Sequence, residues 1–435
     1  GMLFDPKIRN SVDEVHKQVF GDINEFLESG GVRGKDDGVS HVERLANFMN
    51  MSAELIGNAQ KEARNEKKIK NKELAGEHEK LLRPIIEEED ELDDSDPDPA
   101  GSQRRQRLVE KLAKVKSAEG ASKCRKMLAR LSYGTPGSRE FGLGLQQSRH
   151  ATKVERLKVV HDWAGAPGVS AGEVSEPCEV AGEFANYYEF LLREKVTTEE
   201  AEEPILRALD DETRNFTPKM AEVCEGEIRQ EEVEYVLKNL PLRKAPGPNG
   251  IPNEFYYAFR ELLAAPLTRA FNEIHQAGEL PEAMREGFIT VLYKKKCKHD
   301  VRNYRPVSLL QGDYKIMTRI LTERLKQVIH HVVAPENTGF VPGRFILENA
   351  HLMKLLQAYC DSHDKPGALI FLDFEKCFDN CSWKMVVKCA EKLGLGNDFV
   401  KWLKIIYNLD KPLTRKVRVN GVVSRSFGIK SGVPQ

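Results

Sequence analysis

The chain has 435 residues, 40% of them hydrophobic and 31% charged, with a formal net charge of −1. That length supports roughly two to four domains with buried cores, and no apolar run approaches the ~20 residues that a membrane-spanning helix needs. The start, Gly1-Met2-Leu3-Phe4-Asp5, lacks the charged-then-apolar pattern of a secretory signal, and eight cysteines are ordinary for this length. These features predict reduced thiols and an intracellular protein, nuclear or cytoplasmic, with no membrane association.

The near-zero net charge hides an asymmetry. Residues 241–435 carry 30 Lys and Arg against 19 Asp and Glu, which leaves 36 against 48 for the first 240. A basic second half suits a polyanion such as nucleic acid; solvated surface charge would give the same count.

Ser11-Val12-Asp13-Glu14 reads as a capping box ahead of an amphipathic helix through Val15, Val19, Phe20, Ile23, Phe26 and Leu27, ended by Gly30-Gly31. Residues 42–82 read as helix with rising charge. Residues 87–99, dominated by Asp and Glu, repel one another and cannot bury a core, so they read as a disordered linker. The sign then reverses through Arg104, Arg105, Lys111, Lys114 and Arg130, with Leu108, Leu112 and Val115 as an apolar stripe. This basic amphipathic helix fits RNA or DNA, the acidic linker, or plain solvent. Residues 165–175 form a small-residue loop. Phe184, Tyr187 and Tyr188 mark an aromatic helix, and Ile228 to Leu240 a second one, closed by Pro241.

From Lys244 the texture changes. Lys244-Ala245-Pro246-Gly247-Pro248-Asn249-Gly250-Ile251-Pro252 is a rigid loop. Helices are predicted over 254–263 and 266–277, a strand over 288–293 running into Lys294-Lys295-Lys296, a loop and strand over 302–310, and a helix over 314–332. An apolar strand, Ala368-Leu369-Ile370-Phe371-Leu372, ends on Asp373. Ser382 caps a helix stopped by Gly394, a further helix covers 397–408, and Asn420-Gly421 turns a hairpin.

Six blocks stand in a fixed order: 244–252, 289–296, 304–310, Gly339-Phe340-Val341-Pro342-Gly343-Arg344, Phe371-Leu372-Asp373-Phe374-Glu375-Lys376-Cys377-Phe378-Asp379, and Ser431-Gly432-Val433-Pro434-Gln435. Together they resemble the reverse transcriptase of non-LTR (LINE-type) retrotransposons over residues 184–435. The resemblance implies an α+β fold: right-hand polymerase fingers and an incomplete palm, a small antiparallel sheet flanked by helices, preceded by a mostly helical N-terminal region. It divides the chain into helical residues 1–82, an acidic linker at 83–101, a basic helical connector at 102–165, a helical extension at 166–240, fingers at 241–347 and partial palm at 348–435.

The same resemblance implies RNA-directed DNA polymerisation in the intact enzyme, with an RNA template, a DNA primer and dNTP. Two-metal chemistry needs hard oxygen ligands, which suit Mg²⁺, with Mn²⁺ as an alternative. Asp373 would be the catalytic metal ligand, joined by the Phe374 main-chain carbonyl. Phe378 would sit under the sugar and exclude a 2′-hydroxyl. Lys294 and Arg305 would meet the triphosphate, Gln435 would line the nucleotide pocket, and Arg344 would touch template or nucleotide unless it only ties its loop.

Departures from the family pattern are Asn249 for aspartate, Cys377 for alanine, and Asn380-Cys381 for a basic-then-apolar pair. Cys377, Cys381 and Cys389 lack zinc spacing, and Gly247 and Gly250 lack the spacing of a phosphate cradle. A Tyr/Phe-Ala-Asp-Asp hairpin would follow Gln435 in the family. These residues therefore read as a fragment, expected not to extend a primer alone. A reading from another class is a non-catalytic nucleic-acid-binding module on the same scaffold.

Overall fold

The computed structural model describes residues 6–20, 39–90, 154–160, 170–210 and 215–433. Residues 1–56 and 153–435 form one compact unit, and residues 57–152 form a second. Helix and sheet mix throughout the first unit. Its main sheet has the order β4-β3-β5-β6. Strand β3 (Glu286–Tyr293) pairs antiparallel with β4 (Tyr304–Leu310) and parallel with β5 (Leu413–Val419), which pairs antiparallel with β6 (Val422–Ile429). The sheet is therefore mixed where an antiparallel one was expected. The β3–β5 connection is a long helical crossover, which a parallel neighbour requires. The β5–β6 turn is the expected one: Asn420 and Gly421 take φ of 52° and 82°, the left-handed pair of a tight hairpin.

Helix α1 (Pro6–Phe20) opens the chain and α2 (His41–Asp90) follows. Pro6 stands at the helix start, where a missing N–H costs nothing. Ser11 is therefore internal, donating to the Lys7 carbonyl at 3.0 Å instead of capping. Residues 83–90, expected in the linker, continue α2. The rest of that linker and the basic helix lie outside the described residues. In the stretch expected as a helical connector and loop, β1 (Leu157–Val160) pairs antiparallel with β2 (Ser170–Val174).

Helix α3 (Pro177–Leu191) lies across β5 and β6. Phe184 and Tyr188 are fully buried on its inner face, and Phe184 meets Tyr304 of β4 edge-on at 5.1 Å. After α4 (Glu199–Arg207) and α5 (Pro218–Cys224) comes α6 (Gln230–Lys238), at the expected place. It packs on α9 (Gly312–Lys326) around buried Arg324, whose guanidinium donates twice to Glu232 at 2.7 Å and to the carbonyls of residues 224–227. Between them, α7 (Asn253–Ala258) and α8 (Arg260–Ala277) break at Phe259. The break was expected before Pro266, yet Pro266 sits buried inside α8. The apolar packing around it outweighs the ~3 kcal/mol that an interior proline costs.

The N-terminal helices seat on this body. The Glu273 carboxylate accepts the His41 and Val42 N–H groups at 3.0 Å each, satisfying orphan donors of α2. Phe48 packs on Phe255 with ring centroids 6.3 Å apart. Beneath lies a cavity of about 50 Å³ lined by Leu45, Met49, Asn249, Gln311 and Asp313. The loop of residues 244–252 is fastened here. Asn249 accepts the Ile251 N–H at 3.1 Å, a turn-capping bond that aspartate would also make.

Gly247 leaves no room for a side chain: a Cβ there would stand 2.6 Å from the Leu310 carbonyl carbon and 2.8 Å from the Gln311 nitrogen. Main chain cannot swing aside, so Gly247→Ala is expected to destabilise the fold by about 1–3 kcal/mol in chemical denaturation. Burial pushes the Asp313 carboxyl up to about 6, against a Tyr314 N–H bond at 2.8 Å that favours the charged form. A carboxyl raised on folding stabilises below its unfolded pKa and loses that contribution as pH rises through the folded value. Stability is therefore expected to fall between about pH 4 and pH 6, and Asp313→Asn to flatten that fall in urea titrations at pH 4.5 and 7.5.

Candidate active site

The turn of residues 375–380 is held from behind by a segment some fifty residues further on. Gly432 donates to the Cys381 carbonyl at 2.8 Å and Val433 to the Phe378 carbonyl at 2.9 Å, while Ser382 and Ser431 form an antiparallel bridge. Trp383, 1% exposed at the start of α11 (Trp383–Lys392), donates its indole N–H to the Gly432 carbonyl at 2.7 Å. Ser382 caps α11 as expected, accepting from Met385, and α12 (Asn397–Ile406) follows. Gly432 has a φ of 81°, and a Cβ there would press on the Asp379 main chain at 2.9 Å. Only glycine meets both demands.

Two blocks expected at the site are thus brought together at Phe378. A third arrives from outside: Phe340 meets the Phe378 ring edge-on, with centroids 6.0 Å apart at 90°. Phe378 is 42% exposed.

Asp373 departs from expectation in one respect. The run before it was predicted to be a buried strand, but residues 365–374 form no regular element, and Leu369 to Leu372 are 57–83% exposed. No described strand pairs with them, and an extended chain without a neighbour leaves its N–H and C=O groups to solvent. Asp373 is exposed, as is Phe374. Among the described residues, no group of three or more His, Cys, Asp and Glu side chains stands where it could hold a metal ion.

Lys294 and Arg305 lie together. Leu292 faces Arg305 across the β3–β4 ladder, and Lys294 donates its main-chain N–H to Asn303 at 2.9 Å. The two cations therefore share one face as diagonal neighbours. Both are exposed, and neither forms an ion pair among the described residues. Pro306, next to Arg305, lines a cavity of about 20 Å³ together with Asp379, Arg415 and Ser431. The hairpin thus abuts the back of the turn that carries Phe378. Gln435 lies outside the described residues.

Arg344 is engaged at home. Its guanidinium donates to the carbonyls of His330 (3.0 Å), Val333 (2.8 Å), Asn337 (2.9 Å) and Ala334. These bonds fasten the loop of residues 333–344 to the end of the short helix Ile329–Val332.

Sequence reasoning missed the inner side of the turn. Asp379 is half-buried, and burial raises its carboxyl pKa against the pull of Lys376 and Lys195. Burial lowers the Lys376 ammonium pKa in turn, and that ammonium lies over the Tyr187 ring at 4.5 Å. The Tyr188 hydroxyl, fully buried, is pushed far up by burial and further by Asp379. Arg415, 1% exposed, has its guanidinium lowered to about 10 by burial. The one signal for this cluster in the sequence is the second aspartate of the block, six residues after the first.

Residues 293–435 match the family model for reverse transcriptase (RNA-dependent DNA polymerase). The chain is 32% identical over 214 residues to the transposon TX1 uncharacterized 149 kDa protein of Xenopus laevis, covering 49% of this chain and 16% of that one. It is 28% identical over 264 residues to a probable RNA-directed DNA polymerase from transposon BS of Drosophila melanogaster, 59% of this chain and 28% of that one. It is also 28% identical over 213 residues to the RNA-directed DNA polymerase from mobile element jockey of the same fly, 48% of this chain and 23% of that one. Residues 293–435 are therefore similar to reverse transcriptases. The chain's resemblance is to the non-LTR retrotransposon polymerases, of whose length it spans 16–28% in these three relatives.

Removing the indole donor tests the clamp. Trp383→Phe leaves the buried Gly432 carbonyl without its partner and is expected to cost about 1–3 kcal/mol, read as a lower denaturation midpoint with an unchanged slope.

Proposed function

We propose that this chain contributes the nucleotide-binding part of an RNA-directed DNA polymerase, with fingers at 241–347 and the first part of the palm at 348–435. The supporting observation is the convergence of the blocks at 339–344, 371–379 and 431–433 on Phe378, whose ring meets Phe340 and whose main-chain carbonyl accepts from Val433. In this reading Phe378 meets the sugar of an incoming dNTP, and its bulk rejects a 2′-hydroxyl. Lys294 and Arg305, side by side and without an ion-pair partner among the described residues, take the triphosphate, and Gln435 lines the pocket. RNA template and DNA primer lie along the basic half of the chain, where phosphate charge is neutralised. The protein works inside the cell, where these substrates are found.

The donors that fit a hard divalent cation are the Asp373 carboxylate and the Phe374 carbonyl oxygen, at an open face of the turn. They make a partial set, and Mg²⁺ suits all-oxygen ligation, with Mn²⁺ as a substitute. Bound there, the ion would neutralise phosphate charge during attack of a primer 3′-hydroxyl on the dNTP. Asp373 holds its carboxylate ready for that ion, while the clamped turn fixes where the sugar lies.

The test is Mg²⁺-dependent retention of a radiolabelled dNTP on an RNA template–DNA primer duplex. Wild type is expected to retain the dNTP, and Asp373→Ala to lose at least about tenfold in affinity. Salt-sensitive duplex binding with no Mg²⁺-dependent dNTP retention would instead mark a nucleic-acid-binding module.

A further inference from the structure

Phe340 stands out on three counts. The residue is 96% exposed, so its ring adds almost nothing to the core. Its φ of 62° places a bulky non-glycine residue in the left-handed region, where the Cβ is crowded and glycine or asparagine is the usual occupant. Yet its ring meets the edge or face of one neighbouring aromatic, Phe378, at 6.0 Å and 90°. Stability explains neither the residue type nor the backbone shape. Strain of this kind persists only where surrounding structure enforces it.

The enforcing structure is the loop's base. Arg344 gathers the carbonyls of His330, Val333, Ala334 and Asn337, and its own N–H closes the turn onto Val341 at 3.3 Å. The Asn337 side chain takes the Gly339 N–H at 3.2 Å. Gly343, at φ 78°, allows the chain to turn back. Everything but the tip is fixed, and the tip is Phe340. On the other side the Phe378 main chain is pinned by Val433 at 2.9 Å, which leaves the ring's torsions as its main freedom. An edge-to-face neighbour removes that freedom, because rotation of either ring breaks the contact between positive edge and negative face.

We infer that Phe340 is a specificity-determining residue, which braces the Phe378 ring in the orientation that excludes a 2′-hydroxyl, with Arg344 as the positioning residue for its loop. The inference rests on the reading of Phe378 as the sugar gate. A gate of one unbraced ring would yield to a ribonucleotide by rotating; a ring held by a second one from another block would not. Arg344 then serves the nucleotide site through Phe340, without having to touch a nucleotide.

The test is equilibrium dialysis of dATP and of ATP, with Mg²⁺ and an RNA template–DNA primer duplex, on the whole chain. Wild type prefers dATP. Phe378→Ala abolishes that preference, which checks the gate itself. Phe340→Gly is expected to lower the preference by about threefold to tenfold, the worth of one aromatic pair. The change should come mainly from tighter ATP binding. Glycine relieves the backbone at φ 62°, so the thermal midpoint of this variant should be unchanged or higher; a residue with a merely structural role would lower the midpoint and leave the preference alone. Arg344→Lys, which cannot reach four carbonyls in a fork, should lose preference as well. If Phe378→Ala loses the preference while Phe340→Gly keeps it, the brace is overturned and the gate stands. If wild type shows no preference for dATP, the gate reading fails and the brace fails with it.

Discussion

The site depends on one clamp: a short extended segment, Ser431 to Val433, laid against the back of the turn that follows Asp373. Each of its main-chain hydrogen bonds contributes a net ~1 kcal/mol, so their value lies in geometry more than in strength. They fix the carbonyls of Phe378 and Cys381, and the indole of Trp383 fixes the clamp itself. Because Trp383 also begins α11, the turn, the helix and the distant segment are joined by one set of hydrogen bonds. Gly432 is the residue on which this rests, since a side chain there would enter the Asp379 main chain.

How much of this was legible in the sequence depended on where each signal acts. Signals that act within a few residues were read correctly: the Asn420-Gly421 hairpin, the Ser382 cap, the Gly394 stop and the strand before Lys294. Local rules failed where packing outvoted them. Pro266 looked like a helix boundary but is buried in the middle of α8, and Ser11 looked like a cap but follows Pro6 inside its helix. The run ending at Asp373 has a strand's composition, but a strand is a relation between two segments, and composition reports on only one. The parallel β3–β5 pairing was hidden for the same reason.

At the candidate site, order and spacing of the blocks identified the parts but not their arrangement. Arg344 reads in sequence either as a nucleic-acid or nucleotide contact or as a tie for its loop, and the four carbonyls that occupy it match the second reading. Lys294 and Arg305 read as triphosphate contacts and are indeed open, side by side on one face of a hairpin. The difference lies in backbone direction. The end of the short helix Ile329–Val332 points unsatisfied carbonyls at Arg344, whereas in a two-stranded ladder the carbonyls bond across to the neighbouring strand and leave side chains to solvent.

The two aspartates of the 371–379 block show how environment divides labour between like groups. Asp373 stands on the exposed side, where water solvates its carboxylate. Asp379 turns inward, where burial opposes its charge while Lys376 of the same turn and Lys195, just after α3, favour it. Burial alone would favour a neutral carboxyl, and the two ammonium groups alone would favour a carboxylate. The balance brings the segment just after α3 and the turn itself to bear on one carboxyl. Phe378, the residue beside Asp379, has its main chain bonded by Val433 and its ring met edge-on by Phe340. Of these two, only the Phe340 contact reaches the ring, and the Val433 bond fixes the main chain from which that 42%-exposed ring projects.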